Sequence, residues 1–225
     1  MPPSETILTG LTSLANDWRG LAIAWHVLFA ALLGMLIAGW RPSVRMVAGF
    51  LIAPVLTVSL LAWRSGNLFN GTAFAVLAVT LAMIASRFSK TPARIGTPVM
   101  AAPGVVLIAL GVTYPHFVGA DSWTTYLYAS PFGIVPCPTL AVVIGATLLL
   151  RNLRSNGWTT TLVVAGLVYG STGVLRLGVA LDWSLILGSG VLAAGSLLEQ
   201  RLRIARRVES STPRVLDDDG VAGHQ

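Results

Sequence analysis

Apolar residues in this chain fall in long unbroken runs, not in the one-sided stripes of a helix that meets water on one face. Seven runs can be marked: Leu21 to Trp40, Met46 to Trp63, Gly71 to Ser86, Pro98 to Val118, Pro131 to Leu150, Trp158 to Leu175 and Leu181 to Leu198. Each approaches the ~20 residues that a helix rising ~1.5 Å per residue needs to cross ~30 Å of hydrocarbon. Polar or helix-stopping stretches divide them: Arg41-Pro42-Ser43, Arg64-Ser65-Gly66-Asn67, the segment from Arg87 to Arg94, a loop from Gly119 to Ser130, and Arg151 to Gly157. The pattern predicts an all-α fold, a polytopic bundle of seven transmembrane helices spanning residues 20–198.

The ends differ from the middle. In residues 1–19, Ile7, Leu8, Leu11, Leu14 and Trp18 share one helical face. This predicts a short amphipathic helix lying on the outer interface. The segment lacks the basic start of a signal peptide, so no cleavage is expected. Residues 199–225 read as a basic cytoplasmic tail. It continues as a helix through Arg207, with arginines placed to meet anionic lipid headgroups, and is expected to be disordered from Ser210 onward.

Composition agrees with the runs. The 225 residues are 54% hydrophobic and 11% charged, with mean hydropathy +0.74. A soluble domain carries about 25% charged residues. A soluble enzyme and a disordered chain are thereby excluded, and no enzymatic activity is expected. The net charge of +6 does not point to nucleic acid, because the basic residues are dispersed between apolar runs. They are distributed unevenly. Arg41, Arg45, Arg87, Lys90, Arg94, Arg151, Arg154, Arg201, Arg203, Arg206, Arg207 and Arg214 fall on one side of a seven-span arrangement, and Arg19, Arg64 and Arg176 on the other. Cytoplasmic loops carry the excess of Lys and Arg. The expected orientation is N-terminus outside and C-terminus in the cytoplasm of a plasma membrane, with the lipid bilayer as the first partner. Homo-oligomers and membrane-complex partners are left open.

Orientation sorts the chemistry by depth. His26 lies about 9 Å inside the outer end of the first run, and Cys137 sits at a similar depth in the fifth. Tyr114 and His116 end the fourth run; Asp121 follows on the outer loop; Arg176 and Asp182 flank the last outer turn. Ionisable groups at membrane depth are costly and point to function. Cys137 is the single cysteine, so disulfides and paired-cysteine metal motifs are excluded. A thiol between Pro136 and Pro138, with imidazoles from His26 and His116, could ligate a soft transition metal; the two histidines could instead hold a haem. Tyr114, Asp121, Arg176 and Asp182 would complete a substrate pocket. The plainer alternative is that Cys137 is an apolar filler and each histidine binds a neighbouring helix. Arg176 and Asp182 read best as a structural ion pair. Small residues spaced by four, Ala30/Gly34/Ala38, Gly166/Gly170 and Gly190/Ala194, read as contacts inside one bundle. Lys90 lies in a cytoplasmic loop, which excludes an intramembrane Schiff base.

The most distinctive stretch is Pro131-Phe132-Gly133-Ile134-Val135-Pro136-Cys137-Pro138-Thr139. Its prolines predict a kinked helix entry with unpaired backbone carbonyls near Phe132 and Ile134. With Tyr114-Pro115 and the outer loop, it resembles a family of uncharacterised bacterial multi-pass membrane proteins, a domain of unknown function. That family opens a late span with a Phe-Gly-Val-Thr-Pro-Cys-Pro-Thr-like motif. Here Ile134-Val135 replaces Val-Thr, which removes a hydroxyl from the turn. The resemblance covers residues 15–198 and implies a bacterial inner-membrane location and no established activity. Three functions follow as expectations: transport or metal handling at a site near the outer face, a non-catalytic scaffold or accessory subunit, and a haem-binding electron carrier.

Overall fold

The computed structural model describes residues 3–119 and 122–211. Of the end expected to be disordered from Ser210 onward, Ser210 and Ser211 belong to the last helix, and residues 212–225 lie outside the described residues, as does Asp121. Among the described residues the chain is helical, without strands. The helices are α1 (Ser4–Asp17), α2 (Arg19–Ile37), α3 (Val44–Arg64), α4 (Leu68–Ala85), α5 (Pro98–Val112), the short α6 (Thr125–Ala129), α7 (Pro136–Leu149), α8 (Asn156–Leu175) and α9 (Trp183–Ser211). Within these residues, five segments are long and apolar enough to cross a membrane: α2, α3, α4, α8 and Ala180–Leu202. The other two apolar helices, α5 and α7, have 15 and 14 residues and are shorter than the runs that predicted them.

The shortening has local causes. Pro115 disfavours a helical conformation at Tyr114, and α5 stops at Val112 rather than running to Val118. Phe117 then takes a positive φ of 74°. The prolines of the fifth run do not kink a helix; they start one. Pro136 is the first residue of α7 and Pro138 the third, positions where the missing N–H has no intrahelical partner to lose.

The helices form a ring around α7. Along that ring α2 meets α3 through Trp25, Phe29 and Phe50. Then α3 packs on α4, α4 on α8, α8 on α9 and α9 on α5. The circuit closes where His26 of α2 reaches the Val112 carbonyl of α5 at 2.8 Å. Every residue of α7 from Pro136 to Leu148 is buried. A helix apolar on all sides belongs at the centre of a bundle. The outside of the ring is apolar too. Ile37, Leu60, Val76, Val106, Val168 and Leu187, one from each ring helix, are at least half exposed. Water would make such a surface aggregate, whereas lipid tails solvate it. The chain therefore has the build of a multi-pass membrane protein.

Two joints fix α7 along its axis. At its C-terminal end the loop before α5 pairs with it: the Gly96 amide donates to the Leu149 carbonyl at 2.8 Å, and Arg151 donates to Arg94 at 2.9 Å. The buried Arg154 guanidinium lies beside the same turn and forms an ion pair with Glu199 of α9 at 3.1 Å. The small-residue stripes divide. Gly166 and Gly170 do pack inside the bundle, against Ser189 and Ile186 of α9. Gly34 and Gly190 face open space, so the expectation of bundle contacts is corrected there. Their stripes lie on the lipid-facing side.

Candidate functional site: a covered cavity at one end of the bundle

The second joint is the segment Ser130 to Val135, which turns the chain into α7. Threonines bind its backbone at Gly133 and Val135. Thr139 Oγ1 accepts from the Gly133 amide at 2.9 Å and donates to the Val135 carbonyl at 2.8 Å. Thr57 of α3 donates to the Gly133 carbonyl at 2.8 Å. Gly133 has φ +77°, and the Trp25 indole covers the place a Cβ would take. Only glycine fits both requirements. A Thr139→Val substitution keeps the shape but strands the buried Gly133 N–H, which costs about 1–3 kcal/mol. We expect Thr139→Val to lower the thermal midpoint in detergent and Thr139→Ser to leave it nearly unchanged.

This rigid entry delivers Cys137 to a cavity of about 650 Å³. The walls come from the C-terminal parts of α3 and α8, the start of α4, and the entry segment from Ile134 to Cys137. Most of the lining is apolar, with Phe69, Phe117 and Tyr169 supplying aromatic surface. The amphipathic α1 lies across the opening, presenting Thr6, Ile7, Gly10, Leu11 and Leu14. Two hydrogen bonds hold this cover. Asn16 donates to the Phe117 carbonyl at 3.1 Å and accepts from the Gly119 amide at 3.1 Å. Trp18, between α1 and α2, carries the Arg64 guanidinium over its ring at 5.9 Å.

The acidic group of the cavity is Asp182, only 1% exposed. It sits in the short turn before α9. Tyr114 donates to its Oδ1 at 2.8 Å from behind the cavity wall. The Cys137 thiol lies against the same carboxyl group. Gly173 of α8 leaves the space that the carboxyl group occupies. Arg176 lines the cavity at its exposed rim. The partner found for Asp182 is thus Tyr114, where an ion pair with Arg176 was the expectation.

The structure separates the three residues of the expected metal site. His26 lines a different, smaller hollow of about 310 Å³ between α2 and α5. Its Nδ1 lies 2.8 Å from the Ala22 carbonyl and its Nε2 2.8 Å from that of Val112. A metal ligand needs a nitrogen lone pair aimed at the ion, and both nitrogens here face backbone oxygens. His116 is exposed, edge-on to Phe117 at 4.6 Å. Among the described residues no group of three or more His, Cys, Asp or Glu side chains is arranged to hold a metal ion. Of the pocket residues read from the sequence, Arg176 and Asp182 line the cavity, as Cys137 does, and Tyr114 buttresses it. The sequence reading missed α1 as the cover and Tyr169, whose hydroxyl donates to Asn70 at 3.1 Å. Spacing within a single run holds no signal for such cross-helix contacts.

Comparison with known protein families, characterised proteins and solved structures gives no match.

Proposed function

We propose that the chain is a seven-span plasma-membrane protein of bacterial type that binds a small, largely apolar molecule from the outer side, as a carrier or receptor does. The observation that carries this reading is the covered cavity with a buried carboxyl group and a thiol in its wall. Cavities of roughly 300–1,000 Å³ with apolar walls and few polar groups are the usual form of small-molecule sites. The short helices α5 and α7 count as spans in this reading, each lengthened by the irregular segment at its end. Charge supports the orientation. Arg19, Arg64 and Arg176 fall at the cavity end, and the arginine-rich loops around Arg45, Arg94 and Arg151 at the other. The poorer end is the outer one.

The sole cysteine makes a direct test. A membrane-impermeant trimethylammonium methanethiosulfonate should modify Cys137 faster in right-side-out than in inside-out vesicles. Asn16→Ala removes two hydrogen bonds worth about 1 kcal/mol each from the cover and should speed the reaction about tenfold or more. Faster reaction from the inside, or no reaction from either side in Asn16→Ala, would overturn the reading.

A further inference from the structure

We propose that the ligand is an amphiphilic amine: an apolar body with one cationic nitrogen, which binds against Asp182. The inference rests on the cavity reading above and adds the chemistry of the ligand. The carboxyl group is 1% exposed yet forms part of the cavity wall. Tyr114 supplies one hydrogen bond to Oδ1 and orients the group without bringing charge. Oδ2 packs against the α8 backbone at Gly173, where no side chain intervenes. A carboxylate removed from water is costly unless a counter-charge is brought to it. Among the titratable neighbours, Cys137 and Tyr114 carry no positive charge; the exposed His116 is the basic group that acts on the carboxyl group from outside the cavity lining, and Arg176 stands at the exposed rim.

The remaining lining fits the same ligand. Phe117 and Tyr169 offer ring faces, which attract cations and also pack against hydrocarbon. Much of the rest is aliphatic and would bury an apolar body, beside the polar side chains of Thr6, Ser65, Asn67, Asn70, Thr172 and Arg176. An anionic head placed at this end would find no counter-charge in the Asp182 carboxyl group.

The test compares two rigid molecules of nearly the same shape, 1-adamantylamine and 1-adamantanol, on the purified full-length protein in detergent. The readout is protection of Cys137 from the neutral reagent methyl methanethiosulfonate. We expect the amine to protect at a concentration at least about tenfold lower than the alcohol. Asp182→Asn should abolish that difference while the alcohol protects as before, and Asp182→Glu should retain a preference for the amine. Equal protection by both molecules in the unsubstituted protein would overturn the proposal and leave the cavity reading standing. Protection by neither, with the thiol reacting normally, would overturn both.

Discussion

Gly145→Val is expected to eliminate folded protein from detergent extracts of the membrane. Gly145 of α7 and Gly104 of α5 face each other with no side chains between them. A Cβ on either would lie 2.7 Å from the other's carbonyl oxygen, and one on Gly145 would also lie 2.9 Å from the Ile108 amide. These are backbone atoms of two packed helices, so no rotamer change relieves the clash. Gly111 continues the seam, where a Cβ would meet the Pro138 carbonyl at 2.8 Å. Overpacking a tight core costs about 1–3 kcal/mol and occasionally more. The better helix propensity of a residue with a Cβ returns at most about 1 kcal/mol. Overpacking wins at Gly145, and a branched side chain widens the margin. Gly34→Ala, at a helical position with nothing within 4 Å, isolates the propensity effect. It should leave the thermal midpoint unchanged or raise it. If Gly145→Val is recovered as a monodisperse protein with an unshifted midpoint, the close α5–α7 contact is wrong.

The same seam shows what the sequence makes legible. Run length and the stops between runs locate the long helices within a few residues, because a segment solvated by lipid must be apolar throughout. That rule gives no rank among the runs. Nothing in its apolar character distinguishes Pro136–Leu149, buried on every side, from α2, which shows Ile37 and Val27 to the outside. The distinction lies in small residues that face across helices, Gly104 against Gly145 and Gly111 against Pro138, and these pairings are not local in sequence. The proline-rich entry is conspicuous in the sequence, yet its effect is reversed. Three prolines suggest a kink, but Pro136 and Pro138 occupy a first turn, and Thr139 and Thr57 bind the neighbouring backbone groups of Gly133 and Val135.

The site divides in the same way. Depth along the runs points to Cys137, Arg176 and Asp182, and all three line one cavity. Depth also points to His26, which the fold places in another hollow with its ring between two backbone carbonyls. A one-dimensional coordinate along the membrane normal cannot separate residues on opposite sides of α7. Angular position around the ring does so, and it is set by packing. The hydrogen bond between Tyr114 and Asp182 joins residues 68 apart, and the Asn16 bonds to Phe117 and Gly119 join residues more than 100 apart. The amphipathic pattern of α1 is legible, but what its apolar face covers follows only from these distant bonds.

Gly173→Ala tests the site at the smallest scale, a single methyl group. The added Cβ would overlap Oδ2 of Asp182 and lie 2.6 Å from its Cγ and 2.8 Å from its Cβ. The first atom can swing away, but the other two are tied to the short turn before α9. Asp182 must therefore rotate off Tyr114 or the turn must move away from α8. Either outcome breaks the 2.8 Å hydrogen bond and leaves the buried Tyr114 hydroxyl without its acceptor, a cost of about 1–3 kcal/mol. Helix propensity opposes this with up to about 1 kcal/mol, so a net loss in thermal stability is expected. The functional effect should exceed the structural one, because the carboxyl group leaves the position the cavity gives it. Protection of Cys137 by 1-adamantylamine should fall to the level given by 1-adamantanol, as in Asp182→Asn, while the protein still purifies as a folded species. A second substitution that shortens the clashing side chain, Asp182→Ala in the Gly173→Ala background, relieves the overlap but also leaves the Tyr114 hydroxyl without its acceptor, so at most partial recovery of stability is expected, and none of the preference for the amine. Recovery of that preference would mean that amine recognition lies elsewhere in the cavity.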